Sequence, residues 1–244
     1  MENNKSQQDF ISTVSHELRT PLTSIRGFAQ TMLSSWDALD DDSKKQFLKI
    51  IEEQSNRLIK LVENVLAVSK VRNEENYVFT NTNPNYAIKN ILPIVTQQYP
   101  SHKIITQFND KLPEILIDRD KFQQIIMNLV ENACKYSNPN TDITVKTDFS
   151  EGNYNYISIK VKDFGVEIKD EDKTKIFEKF SRIDNPLTRG VQGSGLGLFI
   201  TKSLVEKMNG KIFVESANGE TIFEVLMPIC DIENQARAKC SQKH

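Results

Sequence analysis

The sequence predicts a chain in two parts, an all-α helical hairpin followed by an α+β sandwich. Three observations lead there. Apolar residues keep a heptad rhythm through the first third of the chain, the rhythm stops in a short charged stretch, and helical patterns then alternate with short strands rich in Ile, Val, Tyr and Phe. With 244 residues, 38% of them hydrophobic, the chain can build one large core or two small ones.

From Phe10 to Leu33, Ile11, Leu18, Ile25 and Met32 share one register and Val14 and Phe28 the other, which predicts a helix with one seam. Residues Trp36 to Ser43, including the run Asp40-Asp41-Asp42, break the pattern and supply helix-starting side chains. Phe47, Ile51, Leu58, Leu61, Val65 and Val68 form a second seam, with Gln54 its polar exception. Two such helices bury too little alone, so two hairpins are expected to pair as a dimeric four-helix bundle, making the protein a homodimer. Arg72 to Asn76 is a charged junction. Beyond it, strands are expected at Tyr77–Asn81, Lys103–Phe108, Glu114–Ile117, Thr141–Phe149, Tyr154–Lys162, Lys211–Glu215 and Thr221–Met227. Helices are expected at Tyr86–Tyr99, Lys121–Tyr136, Asp172–Phe177 and Gly195–Met208. Domains are accordingly expected at 1–74 and 75–232, with a polar tail at 233–244.

Lys+Arg 31 against Asp+Glu 33 gives a net charge of −2, which offers no footprint for nucleic acid or for an anionic membrane surface. Cys134, Cys230 and Cys240 lack metal-ligand or redox spacing and read as reduced thiols of a cytosolic protein. Met1 to Gln8 is polar, and no run is long and apolar enough to span a bilayer. The expectation is a soluble, cytoplasmic piece, either cut from a longer receptor that is itself membrane-bound or taking its input from another chain.

The chemistry-bearing residues fall in five places. His16 lies off the seam with Thr20 one turn later on the same face, which for an isolated histidine means an ordinary solvated residue. A zinc-protease helix would need a second His where Thr20 stands. A neutral imidazole is nonetheless a nucleophile near pH 7, and the adjacent Glu17 can take its proton. Pro21 removes a helical bond to Glu17, which is either a functional bend or a tolerated kink. In Lys121–Tyr136, Gln124, Asn128, Asn132 and Lys135 gather opposite an apolar face, forming either a solvated surface or a seat for metal and phosphates. Asp163-Phe164-Gly165 follows a strand, without the catalytic loop and upstream glycine loop of a Ser/Thr kinase. The run Gly193-Ser194-Gly195-Leu196-Gly197-Leu198 opens a helix whose first amides can receive phosphate oxygens; no Lys-Ser or Lys-Thr follows, so it is not a Walker loop. Before it lies a polar loop with Arg182 and Arg189, preceded by Phe177 and Phe180.

Ser15-His16-Glu17-Leu18-Arg19-Thr20-Pro21 resembles the H box of sensor histidine kinases. Asn128-Leu-Val-Glu-Asn132-Ala-Cys-Lys135-Tyr136-Ser137 resembles their N box, Asp163-Phe-Gly165 and the Gly193–Leu198 run their two glycine boxes, and Phe177 with Phe180 their F box. The set occurs in family order and covers nearly the whole chain. The resemblance implies a dimerisation and histidine-phosphotransfer hairpin followed by a catalytic ATP-binding sandwich. It implies autophosphorylation of His16 with Glu17 as base, and Thr20 positioning water for dephosphorylation of the partner. Asn128 and Asn132 become Mg²⁺ ligands, Lys135 and Tyr136 neighbours of the ATP phosphates and sugar, and Asp163, with Gly165, the acceptor for the adenine amine. Gly193, Ser194, Gly195, Leu196, Gly197 and Thr221 complete the nucleotide site, and Arg182 and Arg189 ride a mobile lid. The implied partner is a response-regulator receiver domain.

Two departures stand out. Glu167 holds a position where the family has glycine, and Glu220-Thr221-Ile222-Phe223 replaces Gly-Thr-x-Phe, with Gly219 one place early. Glu167 supports an alternative, a degenerate kinase acting mainly as phosphatase or dimeric docking module. An ATPase of the chaperone or DNA-repair type is a second alternative, opposed by the full H box and the short chain.

Overall fold

The computed structural model describes residues 2–72, 77–153, 155–181 and 193–229. The chain divides into two compact units, Met1–Asn73 and Glu74–His244. Most of the expected lid, with Arg182 and Arg189, and the tail at 233–244 lie outside the described residues.

Unit one is a helical hairpin of α1 (Glu2–Ser35) and α2 (Asp41–Arg72). Asp40 starts α2: one carboxylate oxygen accepts from the Ser43 amide at 2.7 Å and the other from the Ser43 hydroxyl at 2.9 Å. Those bonds hold the Asp40 carboxyl below the usual carboxylate range. The helices run antiparallel, with the Phe28 and Phe47 rings 5.1 Å apart and Arg57 3.5 Å from Glu17. Pro21 lies buried inside α1 without ending it. The α2 seam is half-buried to buried as its spacing predicts. The α1 seam needs one correction: Ile11 is 57% exposed. It lines up with Leu22 and Leu33, also exposed, because eleven residues make nearly three whole turns. On α2, Leu48, Ile59, Val62 and Leu66 are likewise exposed. Each helix therefore carries a second apolar row that its hairpin partner does not cover.

Unit two contains β1 (Phe79–Thr82), α3 (Pro84–Lys89), α4 (Leu92–Gln98), β2 (Ile104–Phe108), β3 (Ile115–Asp118) and α5 (Arg119–Tyr136). After these come β4 (Ile143–Phe149), β5 (Tyr156–Phe164), a 3-10 turn at Lys175–Phe177, α6 (Gly197–Lys207), β6 (Lys211–Ala217) and β7 (Glu220–Pro228). Strands β1 and β3 pair antiparallel; the main sheet has the order β2-β4-β5-β7-β6, with only β2 and β4 parallel. Helices α5 and α6 pack on each other and on this sheet, an α/β sandwich. The period-2 pattern explains which face is covered: Ile157, Ile159 and Val161 of β5 and Phe223, Val225 and Met227 of β7 are buried. The alternate residues carry charge, with Lys160 3.5 Å from Glu224 and Lys162 3.2 Å from Glu220. On α5, Phe122, Ile125, Ile126 and Leu129 are fully buried, each stabilising the fold by on the order of 2 kcal/mol.

Three expected elements differ. The single helix expected over Tyr86–Tyr99 is two, because Pro93 in the first turn of α4 has no amide to continue α3. The helix expected at Asp172–Phe177 is only the short 3-10 turn. Strand β5 runs two residues further than predicted, to Phe164, which carries Asp163 into the sheet.

Candidate functional site

On α1, His16 and Thr20 are exposed on one face, as the heptad spacing predicts. The Thr20 hydroxyl donates to the His16 carbonyl at 3.3 Å, and Pro21 cannot donate to that of Glu17. Glu17 is half-buried, and its contact with Arg57 of α2 fixes where its carboxylate points.

In unit two a cleft opens between α5, the ends of β5 and β7, and the start of α6. Its polar lining is Asn132, Tyr136, Asp163, Ser181 and Thr221; its apolar lining is Val166, Ile168, Ile176, Leu198 and Phe223. A flat heterocycle suits such a slot, with apolar walls for its faces and polar groups for its edge. Asp163 continues the inward row of β5 and is 3% exposed. Burial raises its carboxyl to about 7, and no described residue donates a hydrogen bond to it. Thr221 is its register partner on β7 and shares a hydroxyl bond of 2.8 Å with Ser216.

The glycines bring the boxes together. A Cβ on Gly165 would collide with the carbonyl of Tyr136, and Gly165 forms an isolated bridge with Ser137, so the end of α5 lies directly on the end of β5. Gly195 has φ +65°, and a Cβ there would come within 2.7 Å of the Phe180 carbonyl carbon. Gly193 and Gly197 have room, the former near the Tyr136 hydroxyl and the latter near the Asn128 amide. Leu196 is fully buried at the start of α6, and Ser194 accepts from its amide at 3.3 Å.

The expected site residues thus separate into groups. Asn132, Tyr136, Asp163 and Thr221 line the cleft. Asn128 reaches across to α6 instead, its amide nitrogen 3.5 Å from the Gly197 carbonyl and 3.4 Å from the Thr201 hydroxyl. Lys135 is ion-paired with the buried Glu131 at 3.2 Å. Phe177 stands behind the cleft wall, edge-on to Phe223 at 6.4 Å, and Phe180 turns the chain at φ +59°. Nearby on α5 the Cys134 thiol is 5% exposed and pushed up to about 11, first by burial and then by Glu131 and Asp163. Glu167 is exposed, its φ is not positive, and it does not line the cleft. The backbone reason for expecting glycine there is absent. The sequence reading missed Val166, Ile168, Ile176, Ser181, Leu198 and Phe223 as lining residues; Leu198 and Phe223 were visible only as ends of the second glycine run and of a terminal motif, and Ile168 lies in a loop without period.

A divalent ion fits the donor set in kind. Among the described residues no three His, Cys, Asp or Glu side chains cluster, whereas Asn128 and Asn132 sit one turn apart on α5 with amide oxygens to offer. Few protein ligands plus substrate phosphates and water is the mode Mg²⁺ prefers. No described helix is long and apolar enough to cross a membrane.

Residues 6–74 match the His Kinase A (phospho-acceptor) domain, and residues 117–230 match the histidine kinase-, DNA gyrase B- and HSP90-like ATPase family. The signal transduction histidine-protein kinase ArlS of Staphylococcus haemolyticus is 33% identical over 222 residues, 90% of this chain and 48% of that protein. The sensor protein kinase WalK of Staphylococcus aureus (strain MRSA252) is 32% identical over 237 residues, 93% of this chain and 37% of that protein. The chain spans about half the length of these curated relatives or less. Among solved structures, the Acinetobacter baumannii histidine kinase AdeS shares the fold, with TM-score 0.67 and 21% identity over 88% of this chain and 98% of that one. Histidine kinase ThkA, in complex with response regulator protein TrrA, gives TM-score 0.73 and 25% identity over 94% of this chain and 64% of that one. The phosphoacceptor match falls on the helical hairpin and the ATPase match on the sandwich that holds the cleft, and the chain belongs to the sensor histidine kinase family.

Proposed function

We propose that this chain is the catalytic segment of an ATP-dependent protein-histidine kinase, passing the γ-phosphoryl group of ATP to His16 and then to an aspartate of a response-regulator receiver domain. The observation that carries this reading is Asp163, a carboxylate on the lining of a cleft shaped for a heterocycle, to which no described residue donates. Its free acceptor suits the exocyclic amine of adenine. A His16 ring nitrogen attacks the γ phosphorus, the bond to the β-phosphate oxygen breaks, ADP leaves, and Glu17 takes the imidazole proton. Thr20 shares the His16 face and would orient water against the phosphorylated partner. Asn128 and Asn132 would hold Mg²⁺, which neutralises phosphate charge when bound. The second apolar row of the hairpin supports a homodimer, and the solved complex of ThkA with TrrA supports a receiver-domain partner. A cytoplasmic setting follows from this chemistry. Exposed Glu167 gives no support to the degenerate reading.

The test is incubation with Mg²⁺ and γ-labelled ATP. Label stable to alkali and labile to acid is expected, and His16→Gln is expected to abolish it while keeping nucleotide binding. Undiminished labelling of that variant would refute the acceptor assignment.

A further inference from the structure

Strand β4 begins at Ile143, and its ladder with β5 starts at the pair Thr144 and Lys162. Beyond that pair β5 continues through Asp163 and Phe164 with no β4 residue alongside. The end of α5 takes over there. The Ser137 hydroxyl donates to the Phe164 carbonyl at 3.0 Å and accepts from the Phe164 amide at 3.3 Å. The Asn138 amide donates to the same carbonyl at 2.7 Å. Ser137 is itself held by the Thr141 hydroxyl at 2.5 Å, and the Thr141 carbonyl lies 3.1 Å from the ring of the buried His102. Each hydroxyl has one proton: that of Ser137 goes to the Phe164 carbonyl, and that of Thr141 is shared between the Ser137 oxygen and the Asn138 carbonyl, 2.7 Å away.

We infer that Ser137, oriented by Thr141, is a specificity-determining positioning residue: it fixes the backbone beside Asp163 so that the carboxylate discriminates 6-amino from 6-oxo purine nucleotides. The inference rests on the proposed nucleotide reading of the cleft. Its physical basis is that Asp163 has no hydrogen-bonding partner of its own among the described residues. The carboxylate's aim is therefore set by its backbone, and Ser137 grips both polar groups of the next residue. A hydrogen bond to an amine is lost over a few tenths of an ångström or a modest rotation, whereas apolar stacking on the heterocycle tolerates such shifts. Loosening the clamp should thus cost the amine contact more than the stacking.

The experiment measures ADP and inosine diphosphate affinity by calorimetric titration for the unaltered chain, Ser137→Ala, Ser137→Thr and Thr141→Val. The unaltered chain is expected to prefer ADP. Ser137→Ala is expected to lower that preference about fivefold, by weakening ADP while inosine diphosphate changes little. Ser137→Thr, which keeps the hydroxyl, should restore it, and Thr141→Val should lower it about twofold by leaving Ser137 less well oriented. Thr141→Val keeps the side-chain shape and supplies the answer if Ser137→Ala does not fold. An unaltered chain that fails to prefer ADP overturns the adenine reading and this inference together. A clear preference that survives both the Ser137→Ala and Thr141→Val changes, or an equal loss of both nucleotides, overturns this inference alone.

Discussion

Asp163 occupies a position that the β5 alternation reserves for an apolar side chain, and its carboxyl, raised to about 7 by burial, shows what that costs. The folded chain holds this proton more tightly than the unfolded chain, whose aspartate titrates near 3.9. Ionisation therefore opposes folding above about pH 4, and unliganded unit two should gain stability as the pH falls from 7 toward 4. A bound amine favours the carboxylate and reverses the preference. ADP affinity is thus expected to fall about tenfold between pH 8 and pH 6, and Asp163→Asn should bind weakly without that slope. Titration in matched buffers checks this; a flat profile in the unaltered chain would mean that Asp163 is already ionised at pH 6. Glu167 gives the opposite expectation. With an exposed side chain and ordinary φ, Glu167→Gly should leave ADP affinity within about twofold even at low salt, where a charge effect would be largest. Sequence pattern found both residues, but only the backbone and the exposure could rank them.

The contact between α5 and the end of β5 is where the elements depend most on one small residue. Gly165→Ala must push the Tyr136 carbonyl away and is expected to cost about 2–3 kcal/mol of unit two stability, while Gly193→Ala, with space around it, should cost less than about 0.5 kcal/mol. Denaturant melts of the two variants compare them directly, and equal midpoints would remove the case for a close contact. The sequence could mark both glycines and could not tell which was crowded, since crowding comes from a segment 29 residues away. The α5 stripe was legible because all its apolar positions serve one core. The helix over Tyr86–Tyr99 was misread because its apolar period runs unbroken through Pro93, and the missing amide outweighs the period. The loop residues Val166 and Ile168 have no period at all, so nothing in the chain announces that they wall a cleft.

At the scale of the whole molecule, the hairpin carries the feature on which the proposed homodimer rests. Ile11, Leu22 and Leu33 on α1 and Leu48, Ile59, Val62 and Leu66 on α2 would face water in an isolated chain. The heptads were legible, but they were read as one seam when the helices carry two. Leu22→Glu with Ile59→Lys is expected to convert a dimer to monomer in sedimentation velocity while leaving ADP affinity of unit two unchanged. A dimer that persists would place the interface elsewhere. The Cys134 thiol has a use of its own at this scale. At 5% exposure, and losing its proton only near pH 11, it is shielded from alkylating reagents until α5 lifts from the sheet. In a chain whose Cys230 and Cys240 are replaced by serine, its alkylation rate becomes a stopwatch for opening of the sandwich. Bound nucleotide should slow that stopwatch by the factor through which it stabilises the closed form.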